Sequence, residues 1–283
     1  MKRIISFFLL FSALFSLCAC KENNNGGNTD IAEIAADFEV YCFSAGKADS
    51  FLLTTENSAV LIDAGESGFG KTILDYMEEK GISTLDYLII SHFDKDHVGG
   101  AAKVINKAGA GTVLQSNYLK DSSQCENYLE ALQNAGIEAI TVREVYTFTL
   151  DGAEYTVYPP AQEEYSSNPS NNSSLIVSVK YGERSFLFTG DAQNERIAEF
   201  VEENNSHYDF LKVPYHGHWQ KNLELLLSDI DAKYAVITSS EEELEDEKTV
   251  DLLNKYGLET FLTRTAPVIV LCDGKNISVK YVQ

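Results

Sequence analysis

The sequence predicts an α/β domain of mixed sheets with flanking helices. Three observations lead there. From Asp37 onward, strand-like and helix-like segments alternate. Several strand-like segments are joined by hairpin turns, so part of the pairing is antiparallel. No segment recurs at a fixed period and no linker-like break follows residue 37, which leaves one domain over 37–283.

The elements follow in order. "DFEVYCF" and "SFLLTT" alternate or run continuously apolar, as strands do. "SAVLIDAG" is a short buried strand that ends in Asp63-Ala64-Gly65. Phe69, Ile73, Tyr76 and Met77 share one helical face, predicting a helix over Phe69–Lys80 that Gly81 ends. "LDYLII" is a strand, and Val98–Ala108 reads as a helix opened by Gly99-Gly100. "TVLQS", a helix near Gln124–Asn134, and "EAITV" come next. Hairpins turn at Asp151-Gly152, near Gly182 and at Asp273-Gly274. Helices are predicted over Ala192–Asn204, Asn222–Leu227 and "TVDLLNKYG", with "YDFLKVPYHG" and "YAVITSS" as strands between them.

The N-terminus is set apart from this pattern. Lys2 and Arg3 precede an apolar run from Ile4 to Leu17, shorter than the roughly 20 residues a membrane span needs. It reads as a secretory signal. The ending Leu17-Cys18-Ala19-Cys20 resembles the lipobox of bacterial lipoproteins. That resemblance implies a signal peptide over 1–19 and a lipid on the Cys20 thiol. The protein would then be exported and lipid-anchored to the cell membrane. Residues 20–36, polar and Gly/Asn-rich, read as a flexible tether. No channel helices follow, so no transmembrane channel is expected in this chain. Cys42, Cys125 and Cys272 remain. No disulfide can be assigned among them, and the strand settings of Cys42 and Cys272 favour buried free thiols.

The 283 residues carry a formal net charge of −21. Part of it sits in the run "EEELEDEK" at 241–248, which reads as solvated surface. A chain this acidic gains no long-range steering toward nucleic acid, although a local basic groove stays open to it.

One stretch carries the chemistry. "SHFDKDHVGG" sets His92, Asp94, Asp96 and His97 directly after an apolar strand. Imidazoles and carboxylates suit zinc and similar divalent ions. Residues in a turn at a strand end can face one point, and two ions held close together can share a hydroxide.

The arrangement resembles the metallo-β-lactamase superfamily, whose signature is His-x-His-x-Asp-His followed by Gly. Here it reads His-x-Asp-x-Asp-His, with Asp94 in the place of the second His. That variant resembles the metallohydrolase domain of ComEC-type DNA-uptake proteins and their stand-alone relatives. "SAGKADSFLL" is similar to that subgroup's Gly-Gln-Gly-Asp entry, altered to Gly46-Lys47-Ala48-Asp49. "LIDAG", "NNSSLIVSVKYGERSFLFTGD" and "LKVPYHGHWQKN" match three further motifs in the family's order.

The resemblance implies a four-layer αββα sandwich with two divalent metal ions, zinc or alternatively manganese, at one edge of the sheets. His92 and Asp94 would hold one ion, and Asp96, His97 and His216 the other. Asp191 would bridge them; its competing role is to cap the helix that follows. Asp63 and Asp49 would orient ligands or fix their own turns. Two departures stand out. Asn171 and Asn172 occupy the region of a superfamily His, and Tyr215 precedes His216 where the family pairs two histidines. Tyr215 either donates a hydrogen bond to a phosphoryl oxygen or is packed. His218 is either an acid near the metals or a surface residue, and His207 reads as surface. With Asp96, Tyr215 and His218 are the catalytic candidates.

The family likeness implies a hydrolase that uses a metal-bound hydroxide on phosphodiester bonds. The substrate would be an envelope polymer or nucleic acid. The rival is a non-catalytic surface binding lipoprotein with a degenerate site, and a third alternative is a hydrolase of another ester or a lactam.

Overall fold

The computed structural model describes residues 36–283. The predicted signal peptide, Cys20 and all but the last residue of the tether lie outside the described residues.

The strands are β1 Phe38–Cys42, β2 Ser50–Thr54, β3 Ala59–Ala64, β4 Leu85–Ile90, β5 Ala110–Gln115, β6 Ile140–Thr141, β7 Tyr146–Leu150, β8 Ala153–Tyr158, β9 Ile176–Tyr181, β10 Arg184–Phe188, β11 Phe210–Lys212, β12 Tyr234–Ile237, β13 Glu259–Leu262, β14 Val268–Cys272 and β15 Ile277–Tyr281. The helices are α1 Gly70–Glu79, α2 Lys95–Val98, α3 Ala101–Lys107, α4 Ser123–Ala135, α5 Pro169–Asn172, α6 Asn194–Glu203, α7 Leu223–Ile230 and α8 Glu247–Lys255. A 3-10 turn covers Pro214–Gly217.

An eight-stranded sheet runs β15-β14-β1-β2-β3-β4-β5-β6, and a seven-stranded sheet runs β13-β12-β11-β10-β9-β8-β7. Both are mixed. The three predicted hairpins are antiparallel pairs, whereas β3-β4-β5-β6 and β10-β11-β12-β13 pair in parallel.

Period-two alternation sorts the side chains. Val40, Phe51, Leu53, Val60 and Ile62 point between the sheets, where they meet Val177, Val179, Phe186, Phe188 and Phe210. The opposite residues of the same strands, Tyr41, Leu52 and Leu61, pack on Ile73, Val104 and Tyr128 of α1, α3 and α4. Leu187, Leu211 and Ala235 pack on Ile197, Leu226 and Leu253 of α6, α7 and α8. Three separate cores therefore define four layers, helix-sheet-sheet-helix, as the resemblance implied.

Cys42, Cys125 and Cys272 are buried free thiols. Among the described residues, no helix is long and apolar enough to cross a membrane.

One element departs from expectation for a reason that matters to function. The helix expected over Val98–Ala108 begins earlier, at Lys95, breaks at Gly99-Gly100 and resumes as α3. Gly100 is the N-cap of α3, so the pair opens that helix as expected, and it also serves close approach. A Cβ on Gly100 would lie 2.2 Å from the carbonyl oxygen of Ala64, and the Gly100 N–H donates to Gly65 O at 3.1 Å. The histidine-bearing turn is thereby pressed onto the turn that carries Asp63.

Candidate metal centre

The C-terminal ends of β3, β4, β10, β11 and β12 converge at one edge of the two sheets, the place where open α/β sheets bind ligands. Each strand end contributes one side chain or turn.

β4 runs out into Ser91 and His92, and the short α2 then supplies Asp96 and His97. β10 ends in Thr189-Gly190-Asp191. Gly190 has φ +50°, and a Cβ there would lie 3.0 Å from Ser91 and 3.1 Å from Ser174. Only glycine lets this turn sink between those serines, and the Ser174 hydroxyl oxygen accepts the Asp191 N–H at 3.1 Å. β11 runs into a left-handed turn in which Tyr215, His216 and Gly217 all have positive φ. For the two non-glycine residues such a conformation costs on the order of 1–3 kcal/mol each. That strain turns the His216 ring inward.

Three imidazoles and two carboxylates meet in this interior. His92, His97 and His216 are buried, and the Nε2 atom of each has no hydrogen-bond partner. His216 Nε2 lies 3.1 Å from Asp191 Oδ2 and 3.5 Å from Asp96 Oδ2. His97 Nε2 is 3.4 Å from Asp191 Oδ1, and His92 Nε2 is 4.0 Å from Asp191 Oδ2. The potential ligand atoms of His92, His97 and Asp191 all lie within 4.8 Å of one another, as do those of Asp96, His97 and His216. His97 thus belongs to both groups, although the resemblance assigns it to one ion only.

Asp94 stands at the edge of the cluster. Its Oδ2 is 4.0 Å from His92 Nε2, while Oδ1 accepts from Lys120 Nζ at 2.8 Å and from the Ser170 hydroxyl.

The other nitrogen of each ring is fixed from behind. His97 Nδ1 pairs with Asp63 Oδ2 at 2.8 Å, and His216 Nδ1 pairs with the Thr238 hydroxyl at 2.9 Å. His92 Nδ1 meets the Ser91 hydroxyl at 3.1 Å. These contacts aim Nε2 at the centre, as outer-shell partners do in metal sites.

Asp63 plays both parts foreseen for it. It orients His97 and also accepts the Ser91 N–H at 2.8 Å, tying β3 to the end of β4. Asp63→Asn should therefore keep the fold and lower metal affinity about 10–100-fold, the usual cost of an outer-shell loss. Metal titration monitored by calorimetry checks this, and an unchanged affinity would remove Asp63 from the design.

Asp191 does not cap α6. That helix starts at Asn194 with Gln193 before it, so the capping alternative fails. Its carboxyl is buried, which by itself opposes ionisation. His216, His97 and Lys212 nevertheless hold it well below the usual carboxylate range. Burial likewise opposes charge on His97 and His216, yet Asp191 raises both, with Asp63 adding to His97 and Asp96 to His216. His92 is pushed down by burial and by His97. Convergent, buried donors whose charges balance through shared protons can hold divalent cations in place of those protons. The donor set fits such ions.

Lys212 was not foreseen from the sequence. Its buried ammonium sits 2.5 Å from Asp49 Oδ2, donates to Gly190 O at 2.7 Å and lies 3.5 Å from Asp191 Oδ1. The signal was available: a lysine inside the apolar run "FLKV" needs a buried partner. Asp49 Oδ1 also accepts from Thr238 at 2.6 Å, so Asp49 supports His216 as well as its own loop.

Of the remaining candidates, Tyr215 is partly buried beside the cluster, and its phenol is pushed up by burial and then by Asp191. His218 is placed at the rim, 3.8 Å from Asp246 and ring-to-ring at 5.2 Å with Tyr215, away from both groups of ligands. Asn172 is structural: its amide accepts the Arg196 N–H and donates to Ser167 O. His207 is exposed.

Known proteins resemble this chain in sequence and fold. Residues 44–239 match the family model described as the metallo-beta-lactamase superfamily. The ComE operon protein 3 of Bacillus subtilis is 24% identical over 252 residues, covering 81% of this chain and 32% of the relative. Recombination protein 2 of Haemophilus influenzae is 29% identical over 207 residues, covering 71% and 24% respectively. The chain thus spans a third or less of the length of these curated relatives. Among solved structures, the metallo-beta-lactamase fold protein YhfI from Bacillus subtilis superposes with TM-score 0.56 at 11% identity, over 86% of this chain and 99% of that one. CmlA, a diiron beta-hydroxylase from Streptomyces venezuelae, gives 0.53 at 15% identity over 81% and 53%. The two structures share the fold alone, but the family model covers more than half of the sequence and all three ligand-bearing turns lie within it: the chain belongs to the metallo-β-lactamase superfamily.

Proposed function

We propose that the protein is an exported, membrane-anchored, metal-dependent hydrolase of phosphodiester bonds. One observation carries this: three buried imidazoles turn partnerless Nε2 atoms toward Asp191 and Asp96. A binding protein with a degenerate site has no need to bury such a set at the desolvation cost it incurs.

His92, Asp94 and Asp191 would hold one ion, and Asp96, His97, His216 and Asp191 the other. Bound there, divalent ions supply Lewis acidity and lower the pKa of water. The chain's own residues do the rest. Asp96 presents Oδ2 to His216 and keeps Oδ1 to accept a proton from the attacking water. Tyr215 donates its phenolic hydrogen to a phosphoryl oxygen. His218, at the rim, meets the leaving group if the substrate extends that way.

The name of one relative, Recombination protein 2, favours nucleic acid among phosphodiesters. The acidic charge and the expected tether favour an envelope polymer instead. Asp94 and the Asn171-Asn172 pair depart from the lactamase pattern and count against lactam hydrolysis.

The test is steady-state turnover of an aryl phosphodiester and a chromogenic cephalosporin by the full chain, with zinc and manganese supplied separately. The phosphodiester is expected to turn over much faster, and Asp96→Ala to abolish it. Faster lactam turnover reverses the chemistry, and activity that survives Asp96→Ala misplaces the site. Anchoring is tested separately. Cys20→Ser should leave the protein soluble or as uncleaved precursor; undiminished lipid labelling in that variant refutes the anchor.

A further inference from the structure

Two ammonium groups flank the centre from different loops. Lys47, between β1 and β2, places Nζ 3.5 Å from Asp96 Oδ2. Lys120, between β5 and α4, places Nζ 2.8 Å from Asp94 Oδ1. Neither is buried as Lys212 is: their side chains are 22% and 43% exposed. Lys47 also stands where the uptake-type motif has Gln, so it is a charge added to that pattern.

The charge balance shows what these lysines are not needed for. Asp49, Asp63, Asp94, Asp96 and Asp191 carry five negative charges against the single buried ammonium of Lys212. Two divalent ions offset the remaining four. Lys47 and Lys120 are then in surplus, and the acid facing them from outside the cluster is Glu243, with Oε2 3.6 Å from Lys47. A cavity of about 260 Å³ opens beside Asp96 between Lys47, Lys95, Glu66, Glu242 and Glu243, so Lys47 faces space as well as protein. Lys95 in that wall is engaged by Glu66 at 3.3 Å.

We infer that Lys47 and Lys120 are specificity-determining residues that take the anionic oxygens of a phosphoryl substrate, one from each side of the centre. The inference rests on the metallohydrolase reading above. It narrows that reading to anionic substrates: a neutral ester or lactam offers neither ammonium group an anionic oxygen.

The probe is inorganic phosphate, titrated calorimetrically into the full chain loaded with zinc, alongside measured metal content. Lys47→Gln and Lys120→Gln keep length and polarity but remove charge. Each is expected to weaken phosphate binding about tenfold, the size of one charge-assisted hydrogen bond, with metal content unchanged. Lys47→Arg should retain most of the affinity. For turnover, the KM of an aryl phosphodiester should rise in both Gln variants more than kcat falls, while the KM of a neutral aryl ester stays put. Equal phosphate affinity in the parent and both Gln variants, at full metal content, overturns the lysine assignment and leaves the metallohydrolase reading standing. Loss of metal in the Gln variants also overturns it, since the lysines would then be serving the ligands. A parent that takes up no metal overturns both.

Discussion

Asp191→Ala is expected to abolish two-ion binding and, with it, hydrolysis. Asp191 is the carboxylate that approaches all three imidazoles, at 3.1 Å from His216, 3.4 Å from His97 and 4.0 Å from His92. Of the other carboxylates proposed to ligate, Asp94 lies 4.0 Å from His92 Nε2 and Asp96 lies 3.5 Å from His216 Nε2. Loss of an outer-shell partner costs 10–100-fold in metal affinity, so loss of a carboxylate shared by two ions should exceed about 100-fold. His92→Ala, by comparison, should mainly empty one position. His97→Ala should disturb both, because its Nε2 lies in both ligand groups. Metal content by atomic spectroscopy and calorimetric titration of the three variants distinguishes these outcomes. Two ions bound to Asp191→Ala as to the parent would disprove the shared role.

The contrast between Asp191 and Lys212 shows which features of the site could be read from the sequence. His92, Asp94, Asp96 and His97 are legible because they fall within six positions after an apolar strand, and local spacing is what a sequence displays. Asp191 and His216 became legible through order and motif resemblance, and the structure brings both to the same edge. Period-two strands and amphipathic helices made an α/β domain of mixed sheets with flanking helices legible; the αββα layering came from the resemblance, and the three cores show its inward faces residue by residue. What stayed hidden is long-range. Asp49 and Thr238 are 189 positions apart, and Asp49 meets Lys212 across the two sheets. No periodicity encodes such pairs. The left-handed turn at Tyr215-His216 was hidden too, since Tyr gives no sign of positive φ and the enrichment of His there is too weak to place a turn. The helix opened by Gly99-Gly100 was legible and is α3, whereas the separate helical turn over Lys95–Val98 and the contact of Gly100 with Ala64 were not.

Lys212→Met should separate the stability of the metal-free protein from that of the loaded one. Lys212 and Asp49 are both buried, with Nζ 2.5 Å from Oδ2. Removing one partner of a buried pair strands the other charge and costs about 3–5 kcal/mol. In a domain of this size each kcal/mol moves the unfolding midpoint by roughly 2–4 °C, so a drop of about 10 °C is expected without metal. Asp49→Asn combined with Lys212→Met removes both charges and should recover part of that loss, which a double-mutant cycle measures. Metal changes the sign of the local problem. Without the ammonium the cluster is one charge more negative, which favours divalent cations. Ions that bind only the folded state stabilise it by mass action. Zinc should therefore raise the midpoint of Lys212→Met by more than it raises the parent's. Thermal unfolding of parent, single and double variants, with chelator and with saturating zinc, reads all of these terms. If the single variant unfolds at the parent's midpoint in chelator, Lys212 is not the counter-ion that holds Asp49 and Asp191 in place.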